Sequence, residues 1–154
     1  MEIRRIFSEE INEVVKLWTA LVNDQFQYDP FFVTDSEGQL NLKNRLHTYV
    51  KDNNYLITGA FHEAELVGYA LAQISEHPPF FKVSRYCNLR HVFVKENYRN
   101  IGIGNNLVKY IKEWAKQKGV NRIELLVASE NIDAIRFYHN HGFNNFGLVL
   151  TQNL

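Results

Sequence analysis

Arg99-Asn100-Ile101-Gly102-Ile103-Gly104 lies between a run of strand formers ending at Val94 and a helical stripe that begins beyond Gly104, and this junction decides the fold. Upstream, Tyr86 to Val94 is rich in β-branched and aromatic residues. Downstream, Leu107, Val108, Ile111, Trp114 and Ala115 recur at helical spacing until Gly119, which suits a helix terminus. The first turn of such a helix leaves backbone N–H groups unpaired, and Gly102 and Gly104 let an anion approach them without an intervening Cβ. Arg99 adds a charge suited to a phosphate oxygen. The pattern points to diphosphate binding; its alternative is a loop that only tightens a turn.

Neither common nucleotide fingerprint fits. A dinucleotide fold wants a third glycine where Leu107 stands, and a phosphate loop of the NTPase kind wants Lys-Ser/Thr where Asn105-Asn106 stand. The segment instead resembles the Arg/Gln-x-x-Gly-x-Gly/Ala motif of the GNAT superfamily of N-acetyltransferases, preceded by Leu89-Arg90-His91-Val92-Phe93-Val94 and Tyr98. Asn131-x-x-Ala134-x-x-Phe137-Tyr138 with Gly142-Phe143 is similar to the second signature of that family. The likeness runs from about Leu89 to Phe143 and departs from the pattern at Asn100, where many members carry glycine.

Outward from the junction, the chain alternates strands with helices. Glu2 to Phe7 reads as a strand, and Ser8 as the cap of a helix whose stripe is Ile11, Val14, Val15, Trp18, Leu21 and Val22. Asp29-Pro30 stops it, and Leu42 to Val50 suggests a second, shorter helix ending near Lys51. Tyr55 to Phe61 and Leu66 to Ile74 read as a hairpin, with Pro78-Pro79 breaking its second strand. Arg122 to Ala128 is a nearly continuous apolar strand, Asn131 to His141 a short helix, and Phe146 to Thr151 a last strand. The expected class is α/β, and the family resemblance implies a mixed, mostly antiparallel, splayed sheet flanked by helices on both faces.

The 154 residues make one domain, residues 1–154, with 45% hydrophobic residues for its core. Seventeen basic against seventeen acidic residues give no formal net charge, which disfavours broad capture of nucleic acid or anionic membrane. No apolar run reaches the roughly 18 residues that span a bilayer, and no signal core follows Met1. Cys87 is the only cysteine, so no internal disulfide or cysteine-rich metal site is available, and a reducing cytoplasmic setting is expected.

The resemblance implies acetyl-CoA as cosubstrate and a primary amine of a small molecule as acceptor, with direct transfer and no acyl-enzyme. It places the diphosphate on the backbone of Arg99, Asn100, Ile101, Gly102, Ile103 and Gly104, and the pantetheine arm beside Val92, Phe93 and Val94. By the same resemblance the Val92 N–H would meet the developing oxyanion, Asn131 would bond the coenzyme arm, Phe137 would belong to the coenzyme-binding motif, and Tyr138 would protonate the departing thiolate. Asn131 and Tyr138 are seven residues apart, which on a helix returns to one face within about 20°. An N-cap and a packed aromatic are their structural alternatives.

Many family members carry an acidic residue where this chain has Arg90 and His91, so His91 is the candidate base, with Glu76 through water as second; a strand histidine merely hydrogen-bonded to the protein is the alternative. If it faces the acceptor groove, Arg90 would disfavour polycationic acceptors and favour a carboxylate; strand alternation directing it to solvent is the alternative. Phe26 to Phe32 supplies aromatics that either wall the acceptor pocket or pack in a core or dimer contact. No metal site is expected, and a homodimer is the assembly the resemblance implies. Two other functions fit the same residues: acetylation of a protein or peptide amine, and acyl-CoA binding with little catalysis.

Overall fold

The computed structural model describes residues 1–154. Five strands follow one another in the order β1 (Glu2–Arg5), β2 (Tyr55–His62), β3 (Glu65–Glu76), β4 (Arg85–Val94) and β5 (Ile123–Glu124). The first four are antiparallel, and β5 joins β4 in parallel. Helices α1 (Ile11–Phe26) and α2 (Ser36–Tyr49) lie between β1 and β2, α3 (Ile103–Gln117) between β4 and β5, and α4 (Ile132–Asn140) after β5. No helix is long and apolar enough to cross a membrane.

Strand alternation divides the core into two layers. Ala70, Ala72, Cys87 and Leu89 face α3, whose buried Leu107, Val108, Ile111 and Trp114 cover them. Tyr69, Leu71 and Phe93 face the other way, onto Ile11, Val14 and Leu17 of α1 and Leu46 of α2. Helices thus cover both faces, as expected.

Local boundaries moved for identifiable reasons. Ser8 does not cap α1: a 3₁₀ turn, Ser8–Glu10, precedes the helix, and the Phe7 N–H donates to Glu10 Oε2 at 2.9 Å. The carboxylate of Glu10 is held by Arg4, Nη1 to Oε2 at 3.0 Å, which ties the turn to β1. The second helix starts at Ser36, earlier than its sparse apolar stripe suggests, because the Asp35 carboxylate accepts from the Gly38 N–H at 2.8 Å.

Two expected strands are corrected. Of the apolar run from Arg122 to Ala128, only Ile123 and Glu124 pair with β4. The segment from Phe146 to Thr151 forms no strand, although its sequence alternates as one. Apolar, β-prone sequence reports that a segment can pair; the partner edge decides whether it does.

Candidate active site

The site begins with the direction of peptide groups on β4. Lys95 N donates to Val67 O at 2.9 Å, which makes this a hydrogen-bonded pair between β3 and β4. Such pairs alternate along an antiparallel ladder, so Phe93 and His91 turn their peptide groups to β3 while Val92 and Val94 turn theirs to the opposite edge. On that edge β5 pairs with β4 only at Cys87–Ile123 and Asn88–Glu124. Beyond them the sheet opens, leaving the N–H and C=O of Val92 and the N–H of Val94 directed into the gap. The Val94 carbonyl is occupied, accepting from Arg99 Nε at 2.9 Å.

At the mouth of the gap the chain curls through two left-handed residues, Asn100 at φ 63° and Gly102 at φ 89°. Asn100 therefore takes the conformation that glycine would adopt most cheaply, at the position where the sequence departs from its family pattern. Gly102 caps α3 without any side-chain bond, and the first helical bond from it is Asn106 N to Gly102 O at 3.1 Å. The N–H groups of Ile103, Gly104 and Asn105 precede that bond, so the positive end of a fifteen-residue helix stands uncapped. Ile101 points outward at 66% exposure and offers only its backbone.

Arg99 is engaged on several sides within the chain. Its Nη2 pairs with Asp24 Oδ2 of α1 at 2.9 Å and its Nε holds Val94, while the guanidinium lies 5.5 Å from the Phe93 ring centre. It fastens the loop to the end of β4 and to α1, which leaves the two N–H groups of Nη1 and one of Nη2 for a phosphate.

Helix α4 carries the second group of candidates. Asn131 Oδ1 accepts from the Ala134 N–H at 3.1 Å, so the capping alternative is realised and only its amide NH₂ remains for a ligand. Phe137 packs against the start of α3: a Cβ on Gly104 would lie 3.2 Å from its ring. Gly104→Val therefore perturbs the α3–α4 contact as well as the anion cradle, a double effect hidden from the sequence. Tyr138 is half-buried and packed edge-on against Phe137 and Phe143, at 5.2 and 5.6 Å between ring centres. Burial pushes its phenol up to about 12, so it stays protonated through the physiological range.

The opposite face of β4 holds His91, whose Nδ1 lies 3.1 Å from the Tyr69 hydroxyl. Burial, with Arg90 beside it, lowers the imidazole to about 4, while burial raises the Tyr69 phenol well above its ordinary value. The buried hydroxyl is satisfied when it donates to Nδ1, which leaves the proton of the neutral ring on Nε2. His91 is thus held neutral, hydrogen-bonded to Tyr69 and weakened as a base by its burial. Glu76 shares the strand face of Ile74, which packs toward α3, so alternation directs it away from His91.

This arrangement makes stability pH-dependent. The folded chain favours neutral His91, so its contribution is complete above about pH 6.5 and is lost as pH falls toward 4, by up to roughly 3 kcal/mol. Urea midpoints at pH 7 and pH 4 measure this decline, and His91→Gln should shrink it.

Arg90 occupies a β-bulge, because Leu71 pairs with His91 and Ala72 with Leu89. Its Nη1 donates to Gln73 Oε1 at 3.2 Å, beyond the stacked rings of Tyr49 and Tyr55, whose centres are 3.9 Å apart. Burial raises the Tyr49 phenol, but the cations of Arg45 and Arg90 outweigh it and hold the group below its ordinary value. The bulge thus turns Arg90 toward a cationic, aromatic surface on the α2 side.

The sequence reading missed Glu124. It stands opposite Asn88 at the last β4–β5 pair and accepts from Arg122 Nε at 2.6 Å, with His77 Nε2 2.9 Å away. Burial raises its carboxyl, but hydrogen bonds from Arg122 and His77 prevail and keep it below the usual range. A charge inside an otherwise apolar run was the available signal. Cys87, fully buried with its thiol pushed up to about 12, is no nucleophile. Phe31 is 76% exposed on the α1–α2 connection, so the aromatics there do not close a pocket within the chain.

Residues 18–143 of the chain match a family model described as the acetyltransferase (GNAT) family. The chain belongs to the GNAT acetyltransferase family. Its likeness to a spermidine N(1)-acetyltransferase of Thermoplasma acidophilum is 22% identity, covering 93% of this chain and 88% of that protein. An uncharacterized N-acetyltransferase of Bacillus subtilis, YobR, is 34% identical over 62 residues, and the match spans only 25% of that protein. Among solved structures, the BH1408 protein of Bacillus halodurans superposes with a TM-score of 0.88 at 24% identity, the alignment covering 100% of both chains. AAC(6')-Iy bound to a CoA-linked acetylneamine analogue gives 0.77 at 17% identity, covering 99% of this chain and 97% of that one. These two likenesses show the same fold.

A GNAT acetyltransferase draws its acetyl group from acetyl-CoA, and the residues present fit that donor. The free N–H groups of Ile103, Gly104 and Asn105 suit a diphosphate, and the outward peptide groups of Val92 and Val94 suit the amides of a pantetheine arm.

Proposed function

We propose that this protein transfers acetyl from acetyl-CoA directly to the primary amine of a small molecule. The observation that carries this reading is the Val92 N–H, directed into the gap between β4 and β5 where a thioester carbonyl develops negative charge. Val92, Phe93 and Val94 supply the strand on which the pantetheine arm lies; Arg99, Asn100, Ile101, Gly102, Ile103 and Gly104 form its anion cradle. Asn131 offers its free NH₂ to the arm, and Phe137 props the cradle. The reading is supported by the spermidine and aminoglycoside acetyltransferases that the chain resembles.

Tyr138 donates the proton to the departing thiolate. A thiol with a pKa of about 8.5 is a good leaving group, so the help is toward the lower end of about 10²–10⁴-fold. Tyr138→Phe should lower kcat by roughly 10²-fold with the affinity for acetyl-CoA largely kept, measured by free-thiol release.

Proton removal from the amine is assigned to water. An alkylammonium with a pKa near 10.4 is neutral in fewer than about one molecule in a thousand at pH 7, and His91 at about 4 is too weak a base to change this. The expected kcat/KM therefore rises steadily from pH 6 to 9 with no inflection near 6.5, since Tyr138 remains an acid up to about 12. His91→Ala should leave the shape of that profile unchanged; a new or lost inflection would restore His91 as the base. A thiol-release assay over small amines and lysine peptides tests the whole reading. Turnover confined to peptides would favour the protein-modifying alternative, and binding without turnover a sensor.

A further inference from the structure

Given the acetyl-transfer reading, on which this rests, we infer that the acceptor is a short ω-amino carboxylate held lengthwise, its carboxylate on Arg90 and its ammonium on Glu124. Strand register places Tyr55, Gln73, Asn88 and Glu124 in one row across β2, β3, β4 and β5. Alternation turns the whole row to the α1–α2 side, because Ile57 and Leu71 face that way while Cys87 and Leu89 face α3. All four side chains are half-buried, so the row forms a polar floor beside the apolar layer under α1. Several of its groups lack a partner within the chain. Gln73 uses only its oxygen, the Asn88 side chain bonds nothing, and Glu124 takes both Arg122 Nε and His77 Nε2 on Oε1, which leaves Oε2 free.

The two ends of this floor carry opposite charge. Arg90 spends an N–H on Gln73, and neither it nor Arg45 pairs with a carboxylate of the chain. The stacked rings of Tyr49 and Tyr55 wall that end. At the other end the Glu124 carboxyl lies below its usual range, so it accepts from an ammonium without taking its proton. The coenzyme sets the direction of approach: its arm enters beside Gly102 and passes Val94 and then Val92, so its thioester points down β4 toward Asn88 and Glu124, the pair that closes the gap. Gln73 and Glu124 stand two strand spacings apart, roughly 10 Å. A charge-assisted hydrogen bond of about 2.8 Å at each end leaves about 4–5 Å between the ligand's amine and its carboxylate. That exceeds the separation within the head of an α-amino acid and suits an ω-amino acid of three or four carbons. A polyamine of similar length would set its second cation against Arg90 and Arg45.

Two measurements on the full chain separate this site from the transfer reaction: thiol release from acetyl-CoA with 4-aminobutyrate, glycine or n-butylamine, and side-chain amide spectra during titration of the CoA-saturated protein with 4-aminobutyrate. The expected kcat/KM for 4-aminobutyrate exceeds that for n-butylamine by about 10- to 100-fold, the worth of one hydrogen bond between charged groups, and also exceeds that for glycine. The Gln73 and Asn88 side-chain amides should shift together and saturably. Arg90→Gln should narrow the advantage over n-butylamine, and Glu124→Gln should raise KM for both amines. Arg90 is exposed and Glu124 half-buried, so neither replacement empties the core, and circular dichroism checks the fold. Equal use of n-butylamine, or a preference for glycine, overturns the inference while leaving acetyl transfer standing. So does unchanged selectivity in a folded Arg90→Gln protein, or unchanged KM in a folded Glu124→Gln protein. If no amine is turned over, acetyl transfer falls and the spectra decide the site alone: saturable shifts at Gln73 and Asn88 uphold it, and their absence removes it. If a variant misfolds, the selectivity of the wild type still decides.

Discussion

Val92→Pro is expected to cost acetyl transfer about 10²–10³-fold in kcat while the protein stays folded, because it deletes the N–H proposed to meet the oxyanion and little else. Proline removes a single N–H, and at this position that N–H belongs to no ladder: the register that pairs Val67 with Lys95 turns Phe93 and His91 inward to β3 and Val92 outward. Proline is tolerated at such edge positions, and the extended residue before it suits the restriction proline imposes. The Val92 side chain packs against the α3 layer, where a pyrrolidine ring keeps most of its apolar contact. Steady-state thiol release gives the rate, and circular dichroism with the urea midpoint reports the fold. A folded variant with near-normal kcat would remove Val92 from the chemistry. Phe93→Pro offers the contrasting case, since it deletes an inward N–H and should destabilise the sheet.

The largest stability effect is expected at Leu107. Its side chain is fully buried on the first turns of α3, against the β-sheet layer of Ala70, Ala72 and Leu89. Leu107→Ala removes buried methyl groups and leaves a cavity that neighbouring strand residues cannot close, a loss of about 2–5 kcal/mol. For a domain of this size each kcal/mol lowers Tm by roughly 2–4 °C. The same helix presents the free N–H groups of Ile103 to Asn105, so loosening its base should also weaken coenzyme affinity, although Leu107 itself is buried in the core. Thermal melts with and without acetyl-CoA separate the two consequences. A drop below about 1 kcal/mol would mean that the α3 layer repacks freely.

The fold was legible wherever one face of an element is buried. The stripe from Leu107 to Ala115 and the strand from Tyr86 to Val94 declared themselves because burial on a fixed period leaves no other arrangement for those residues. The last strand and most of the fifth were not settled by composition, because pairing is a property of two edges. Phe146 to Thr151 has the residues of a strand and no partner within its own chain.

At the site, the open glycine-bearing turn and the burial of Tyr138 follow from residue types, since a left-handed turn favours glycine and an apolar layer takes an aromatic ring. The bonding partners of Arg99, Asn131 and His91 do not. Each is set by a neighbour distant in sequence or by a local cap: Asp24 pairs with Arg99, the Ala134 N–H donates to Asn131, and the Tyr69 hydroxyl bonds His91. Glu124 escaped notice because its meaning lies in standing at the last pair before the sheet opens. Arg90 raises an expectation of the same kind. Placed by a bulge toward Tyr49, Tyr55 and Arg45, it should favour amines that carry a carboxylate, and Arg90→Gln should narrow their advantage over polyamines in competition assays.

Backbone amide spectra recorded during titration with acetyl-CoA give the most direct test of the whole account. The signals of Val92, Val94, Ile103, Gly104 and Asn105 should shift together with one dissociation constant and become protected from exchange. Saturable binding that leaves those five amides untouched, with changes confined to some other face of the protein, would contradict it.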